Sequence, residues 1–420
     1  MRLPTAVSLA LASLWYRRGI LGLVTLTLTL SVALLLGVQY LRTEVRTSFT
    51  STISGTDLII GARSGQINLL LYTVFHLGDA TNNIRWSTYQ ALEKDQRISW
   101  LLPISLGDSY QGYRVVGTDS AFPNHFRYGD DQLIDLAQGR WFDDVFDVVL
   151  GSEVAQKLGH SVGDSIVLAH GAGPVSFMKH ESTPFKVSGI IRPTGTPVDR
   201  AVYVSLEGIE AIHIGWEAGV PMPGRTVTRE VARERDLTPK SITAILAGIE
   251  QKVLTFQVQR AINQSSLEPL TAILPGVALS QLWQVMGQFE RVLLMLTGFV
   301  VVTSLLGLVA VLLTLQAQRQ REIAVLRAVG ASPTLIASLY ALECTLLGLV
   351  ASGLTLMLGL ILVPALAPWM QTTWGIQLSL RPLEASEWAI LGGIPLASLL
   401  VSLIPAWRAY RGSLSQGLSQ

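Results

Sequence analysis

The residues of this chain that could carry chemistry are few and far apart. All six histidines, His76, His125, His160, His170, His180 and His213, fall in one stretch of the sequence. His170 and His180, with Glu181 beside the second, are the pair whose imidazoles could hold a metal ion. Their spacing matches no compact ligand motif, so the expectation is no metal. No GxxxxGK[ST] phosphate loop, GxSxG elbow or HExxH pair occurs, and the one cysteine, Cys344, rules out a thiolate cluster. The chain is therefore expected to be no enzyme and to bind no cofactor of its own. Glu343 is a carboxylate inside an apolar run, where a charge at the centre of a bilayer costs about 3 kcal/mol. The other apolar runs hold no ionisable group that could continue a proton relay, so structural pairing is the expected role. Gly348 and Ser352 in the same run form a small-xxx-small pair that permits close helix approach.

The elements around these residues follow from charge distribution. Charged residues make up 15% of 420, against about 25% in ordinary soluble domains. A net charge of +1 argues against a nucleic-acid partner. Three uncharged stretches, Gly19 to Leu41, Val292 to Gln318 and Trp388 to Trp407, are each long enough to cross a bilayer, which takes about 20 apolar residues. Ala328 to Leu380 is broken by Glu343 alone and supplies a fourth. Arg2, Arg17 and Arg18, then Arg319, Arg321 and Arg327, then Arg408 and Arg411 all fall on one side of four spans. The positive-inside rule makes that side cytoplasmic. The stretch Arg42 to Arg291 then faces outward, although Arg42 and Arg46 argue weakly the other way. The first run is longer than a signal-peptide core of about 7–15 residues and no clear cleavage site comes after it, so an uncleaved anchor is expected.

The segment RQREIAVLRAVGAS, Arg319 to Ser332, lies between the second and third runs. Arg319, Arg321, Glu322 and Arg327 exclude it from hydrocarbon, and Gly330-Ala331-Ser332-Pro333 breaks the helix before the next span begins. This wording resembles the cytoplasmic coupling segment of the permease family that includes FtsX, MacB and the lipoprotein-releasing LolC and LolE. Within the outward stretch, VVLGSEVAQKLGHSVGDSIVL and then FKVSGIIRPTGTPVDRAVYVS resemble the periplasmic core domain that MacB-type permeases insert between their first two spans.

Residue patterns in that stretch indicate a mixed α/β domain. Val145–Leu150, Ser165–Leu168, Phe185–Ile191 and Ala201–Val204 read as strands. Glu153–Leu158 reads as a helix stopped by Gly159, and Pro193–Pro197 as a tight loop. The apolar run Ile67–Leu77 is too short to span and is expected to be core. With no disulfide available outside the spans, the domain must rest on its own core. From Ser241 onward the pattern is expected to turn helical. After a break at Pro275-Gly276, Leu279, Leu282, Met286 and Phe289 begin a heptad-like stripe that continues through Leu293, Leu296 and Val300. That stripe implies a stalk helix joined to the second span.

The expected fold is an α-helical membrane protein with four transmembrane helices and a large α/β periplasmic domain between helices 1 and 2. In order along the chain this gives a cytoplasmic segment (1–18), helix 1 (19–41), the α/β domain (42–278), the stalk (279–291), helix 2 (292–318) and the coupling hairpin (319–334). Helix 3 (335–366), a periplasmic loop (367–387), helix 4 (388–407) and a cytoplasmic tail (408–420) complete it. The resemblance implies an ABC transporter permease of the bacterial inner membrane whose ATP and magnesium are bound by a separate ATPase subunit. That subunit would dock on Arg319, Arg321, Glu322, Arg327, Gly330, Ala331 and Ser332. A second permease copy or paralogue, and a periplasmic or outer-membrane protein, are the other implied partners. Cargo of the cell envelope is the implied substrate. The alternative is an FtsX-like transmembrane signalling subunit that regulates an envelope enzyme without transport.

Overall fold

Long apolar runs become long helices here, and between the first two along the chain lies a sheet whose strands alternate between two buried faces. The computed structural model describes residues 15–171, 180–216, 227–318, 325, 328–374 and 378–415. The chain divides into two units, one of Met1–Val45, Gly287–Met370 and Leu378–Gln420, the other of Arg46–Met286 with Gln371–Gln377.

The strands of the second unit, in chain order, are β1 (Leu58–Ala62), β2 (Ile84–Arg85), β3 (Ile98–Tyr110), β4 (Tyr113–Thr118), β5 (Arg127–Tyr128), β6 (Gln132–Leu133), β7 (Leu136–Gly139) and β8 (Asp147–Leu150). They continue as β9 (Ser165–Ile166), β10 (Ala169–His170), β11 (Phe185–Ile191), β12 (Ala201–Ser205), β13 (Ser241–Ile242), β14 (Ala244–Ile249) and β15 (Leu270–Ile273). Eleven of them form one mixed sheet in the order β15-β1-β14-β3-β4-β12-β8-β11-β7, with β10 on β3 and β9 on β11. Only β4–β12 and β8–β11 run parallel within it.

The period of two along a strand sends successive side chains to opposite faces, and both faces are covered. Ile59, Leu246, Val149 and Tyr203 enter one core, while Leu58, Ile60, Ile245 and Ala247 enter a second and Val148, Leu150, Val202 and Val204 a third.

The helices of seven residues or more among the described residues are α1 (Arg18–Ser51), α2 (Gln66–Val74), α3 (Trp86–Glu93), α4 (Ser152–Leu158), α5 (Leu206–Ile212), α6 (Thr255–Asn263), α7 (Pro275–Gln318), α8 (Pro333–Trp374) and α9 (Ala385–Ser415). The apolar run Ile67–Leu77 forms most of α2, with Leu69, Leu70, Tyr72 and Val74 buried in the core. It packs on β1 so closely that a Cβ on Gly61 would meet Leu69 Cδ1 at 2.4 Å and Tyr72 Oη at 2.7 Å, so a larger residue there would force those side chains to shift. α4 ends as expected at Gly159, which takes the left-handed conformation (φ 71°).

Two readings of the sequence are corrected. The chain from Ser241 is not helical at first: Ala244–Ile249 is a central strand, every residue of it buried, paired with β1 and β3. Ala, Ile and Leu in a short run fit a two-sided buried strand as well as a helix, and the partners on either side decide. Nor does Pro275-Gly276 break a helix; it begins α7, because proline at the first helical position gives up an amide that has no partner anyway.

Among the described residues, four helices are long and apolar enough to cross a membrane, within Arg18–Thr47, Pro275–Leu315, Thr334–Met370 and Ala385–Trp407. Leu21, Val24, Leu28, Val32 and Leu36 recur at helical spacing on the buried side of α1. They meet Val301, Leu305, Leu308 and Leu312 of α7, Cys344, Leu347 and Ala351 of α8, and Leu391 and Ile394 of α9. α1 continues past Leu41 to Ser51, and α8 past Pro364 and Pro368 to Trp374, so the expected loop from residue 367 begins as helix.

Candidate functional site

Of the coupling segment, Arg319, Arg321, Glu322 and Arg327 lie outside the described residues. The turn after them is a well-defined helix stop. Gly330 has φ +99°, which side chains rarely tolerate, and Ala331 leads to Ser332. The Ser332 hydroxyl accepts a hydrogen bond from the Leu335 amide at 3.2 Å, and its carbonyl accepts from Leu335 and Ile336. Ser332 is thus the N-cap of α8, with Pro333 at the first helical position. Beside this turn, Val325 and Val329 are 64% and 84% exposed, one helical turn apart.

The expected stalk lies on α7, and the four residues named for it part company. Leu279 is buried with Ala278 in the core of the α/β unit, where Trp283 packs against them. Leu282 is half-buried, while Met286 and Phe289 are exposed. The seam that is open therefore starts at Met286 and continues through Phe289, Leu293, Leu296 and Val300, all exposed. Leu279 belongs to its own domain, because the first turns of α7 close the core below β15 rather than leaving it. Further along, Glu290 receives Arg42 of α1 (Nε–Oε2 2.5 Å), so the arginine that spoke against the orientation has its countercharge on α7.

α8 meets α9 through small residues. A Cβ on Gly348 would lie 2.9 Å from Pro395 Cα and 2.8 Å from Ser398 Oγ, while Ser352 Oγ donates to the Leu391 carbonyl at 3.0 Å. On the same helix, Thr355 Oγ1 donates to the Thr29 carbonyl of α1 at 3.2 Å. Glu343 is buried, next to the fully buried Cys344.

A polar bracket joins the ends of α1 and α9. Arg381 donates from Nε to Glu44 Oε1 (2.8 Å) and, through its two terminal nitrogens, to both oxygens of Glu387 (2.8 and 3.0 Å). Glu387 is fully buried, accepts the Glu384 amide at 2.8 Å, and sits in the first turn of α9. There the positive end of the helix dipole favours a carboxylate. The Tyr40 hydroxyl donates to the Ser379 carbonyl, and the Arg381 guanidinium lies 5.0 Å from the Tyr40 ring.

The α/β unit gathers a second cluster. His170 of β10 stands opposite Asp108 of β3 in the strand register, and Asp108 falls where a bulge interrupts the β3–β4 pairing. Bulges re-aim side chains; here His170 Nδ1 is 3.3 Å from Asp108 Oδ1. His213, at the C-terminal end of α5, brings Nε2 to 3.5 Å from the same oxygen, and His180 brings Nε2 to 3.8 Å. His170 Nδ1 and His213 Nε2 are 3.1 Å apart. Burial pushes the Asp108 carboxyl up, and the three ring nitrogens facing it pull it down by more, leaving it well below the usual carboxylate range. For His213 burial lowers the pKa and the nearby Asp108 raises it by more, so it ends above the ordinary histidine value.

A family profile described as the MacB-like periplasmic core domain matches residues 21–264, more than half of the chain. A second, the FtsX-like permease C-terminal domain, matches residues 294–414. The chain belongs to the FtsX/MacB-type permease family of ABC transporters. Among solved structures the permease is similar to the extracellular domain of the noncanonic ABC-type transporter YknZ from Gram-positive bacteria. That alignment has 11% identity and a TM-score of 0.30, and covers 52% of this chain and 99% of the other. No curated protein matches the permease in sequence.

Three groups of residues in the permease were not legible as sites in the sequence. Asp108 and His213 join His170 and His180 only because β10 pairs with β3 and α5 ends beside them. Arg381 and Glu387 left a faint signal, charges bordering the last span, whose pairing with Glu44 no local pattern reveals. Val325 and Val329 are apolar residues within a charged segment, and it is their exposure in the structure that marks them as a contact surface.

Proposed function

We propose that this permease passes motion from a separate ATPase subunit, docked at residues 319–332 on the cytoplasmic side, to its α/β domain on the periplasmic side of the inner membrane. It would work as a pair, with a second copy or paralogue, and act on cell-envelope cargo. The observation that supports this best is α7, one helix from Pro275 to Gln318. Its 44 residues rise about 66 Å at 1.5 Å each, against about 30 Å of hydrocarbon. The excess reaches from Ala278 and Leu279 in the α/β core to the residue before Arg319. A helix without proline or bulge in its interior bends only by straining its own hydrogen-bond ladder. Displacement at one end is therefore felt at the other.

The exposed Val325 and Val329 supply apolar contact alongside the arginines of the coupling segment, which suits a protein partner better than a bare topology signal. The sequence holds no phosphate-binding loop, which supports a reading in which a partner hydrolyses the ATP.

Placing proline at Gln284, an exposed position, removes a backbone donor and clashes with the preceding turn at a cost of about 3 kcal/mol. In the reconstituted complex, Gln284→Pro is expected to leave assembly and basal ATP hydrolysis near normal and to abolish activity on the outer side. Full activity in a folded Gln284→Pro protein would remove α7 from the transmission path.

A further inference from the structure

We propose that Asp108, His170, His180 and His213 bind one divalent transition-metal ion, with zinc as the ion whose coordination they match. One ligand atom from each residue lies within 4.8 Å of all the others. The separations that involve Asp108 Oδ1 are 3.3, 3.5 and 3.8 Å, and His170 Nδ1 to His213 Nε2 is 3.1 Å. Four ligands at about 2.0 Å from a tetrahedral zinc stand about 3.3 Å apart. The three separations to Asp108 Oδ1 and the one between His170 and His213, 3.1 to 3.8 Å, are close to the edge of such a tetrahedron.

Two further observations point to a ligand. Asp108 and His180 are each only 1% exposed, yet neither carboxylate oxygen and neither ring nitrogen of His180 has a hydrogen-bond partner among the described residues. Leaving a buried polar atom unsatisfied costs on the order of 1–3 kcal/mol, more for a charge. A proton shared inside the cluster satisfies one nitrogen–oxygen contact at a time, whereas a cation at the centre satisfies all four donors together.

The second is the orientation of His213. Its Nδ1 lies 2.8 Å from the Ile209 carbonyl, which can only accept, so Nδ1 carries the proton and Nε2 presents a lone pair to the cluster when the ring is neutral. Zinc-binding histidines are oriented in this way, with the far ring nitrogen donating to a carbonyl or carboxylate.

The donor set narrows the ion. Three imidazoles and one carboxylate suit zinc and its neighbours in the first transition row; calcium and magnesium prefer oxygen alone. All four positions come from the protein, so the site is built to hold an ion rather than to activate water. Trp216 packs on the His180 ring (centroids 4.3 Å apart) and supplies an apolar wall, while His170 and His213 are about 30% exposed at their side chains and leave a path of entry.

The test uses the full chain in detergent, stripped with chelator and dialysed against micromolar Zn2+, with bound metal counted by mass spectrometry. One zinc per chain is expected, and Co2+ in its place should give the intense visible bands of a tetrahedral site. His170→Gln, at the open rim, and Asp108→Asn should each weaken zinc binding more than tenfold, while His125→Gln, outside the cluster, leaves it unchanged. A wild-type chain that retains no zinc overturns the proposal without reference to any variant. So does a His170→Gln protein with wild-type stoichiometry and affinity, or an equal loss in His125→Gln.

Discussion

Gly348 of α8 faces Pro395 of α9 with no room for a side chain between them: a Cβ there would stand 2.9 Å from the proline Cα. Two backbones that close gain dispersion and a hydrogen bond nearby, from Ser352 to the Leu391 carbonyl. Gly348→Val must push α9 away or strain α8, a change that costs about 1–3 kcal/mol in a packed interior. A lowered midpoint of thermal unfolding in detergent is the expected outcome, with Gly353→Val, where nothing lies within 4 Å, as the silent control.

Arg381 binds two carboxylates, one of them fully buried. Removing the cation leaves Glu387 and Glu44 uncompensated, at about 3–5 kcal/mol for breaking a buried pair. Arg381→Met should therefore destabilise the membrane unit strongly. Arg381→Lys should recover only part of the loss, because a lysine cannot grip Glu387 with two parallel donors. Denaturation of both variants beside the wild type checks the order.

Asp119 sets a pH dependence of the α/β domain. Burial, with Glu207 and Glu93 nearby and in spite of the Ala121 amide, raises its pKa to about 6. The folded state therefore holds this proton more tightly than the unfolded chain, whose ordinary value is 3.8. Stability is unaffected below the unfolded value and falls as pH rises between the two values, and the full penalty, about 3 kcal/mol for a shift of this size, is present above the folded one. Asp119→Asn keeps an acceptor for the Ala121 amide and loses the charge. It should match the wild type near pH 4 and be the more stable protein at pH 8, as read from unfolding curves at both pH values.

Reversing Arg321 and Arg327 to glutamate should leave the membrane helices and the α/β fold intact while uncoupling ATP hydrolysis from activity. The wild type is expected to co-purify with its ATPase in a complex of two permeases and two ATPase subunits, and the double variant to lose that partner or its response to it. Unchanged transport or envelope phenotype would reduce the segment to a signal of topology.

How much of the molecule is legible without its structure depends on the range of the interactions. Helices across the bilayer are readable because a run such as Gly19 to Leu41 satisfies its backbone internally whatever surrounds it, and its length alone qualifies it. β11 and β12 are equally plain, since Phe185–Ile191 and Ala201–Val204 carry β-branched and aromatic residues between turn signals.

The Ala244–Ile249 strand is not, because the run SITAILAGI fits either period until β1 and β3 bond to its two edges. The start of α7 likewise depends on context, for Pro275 can end one element or begin the next.

The histidine cluster lies furthest from view. His170 and His180 can be named from the sequence, but what makes them a site is Asp108, turned toward them by a bulge in β3, and His213, carried there by the end of α5. Sequence by itself determined the spans and the composition of the elements, because those depend on local burial and backbone satisfaction. Tertiary structure alone decided which buried polar groups converge, because strand register and helix packing bring together residues with no proximity along the chain.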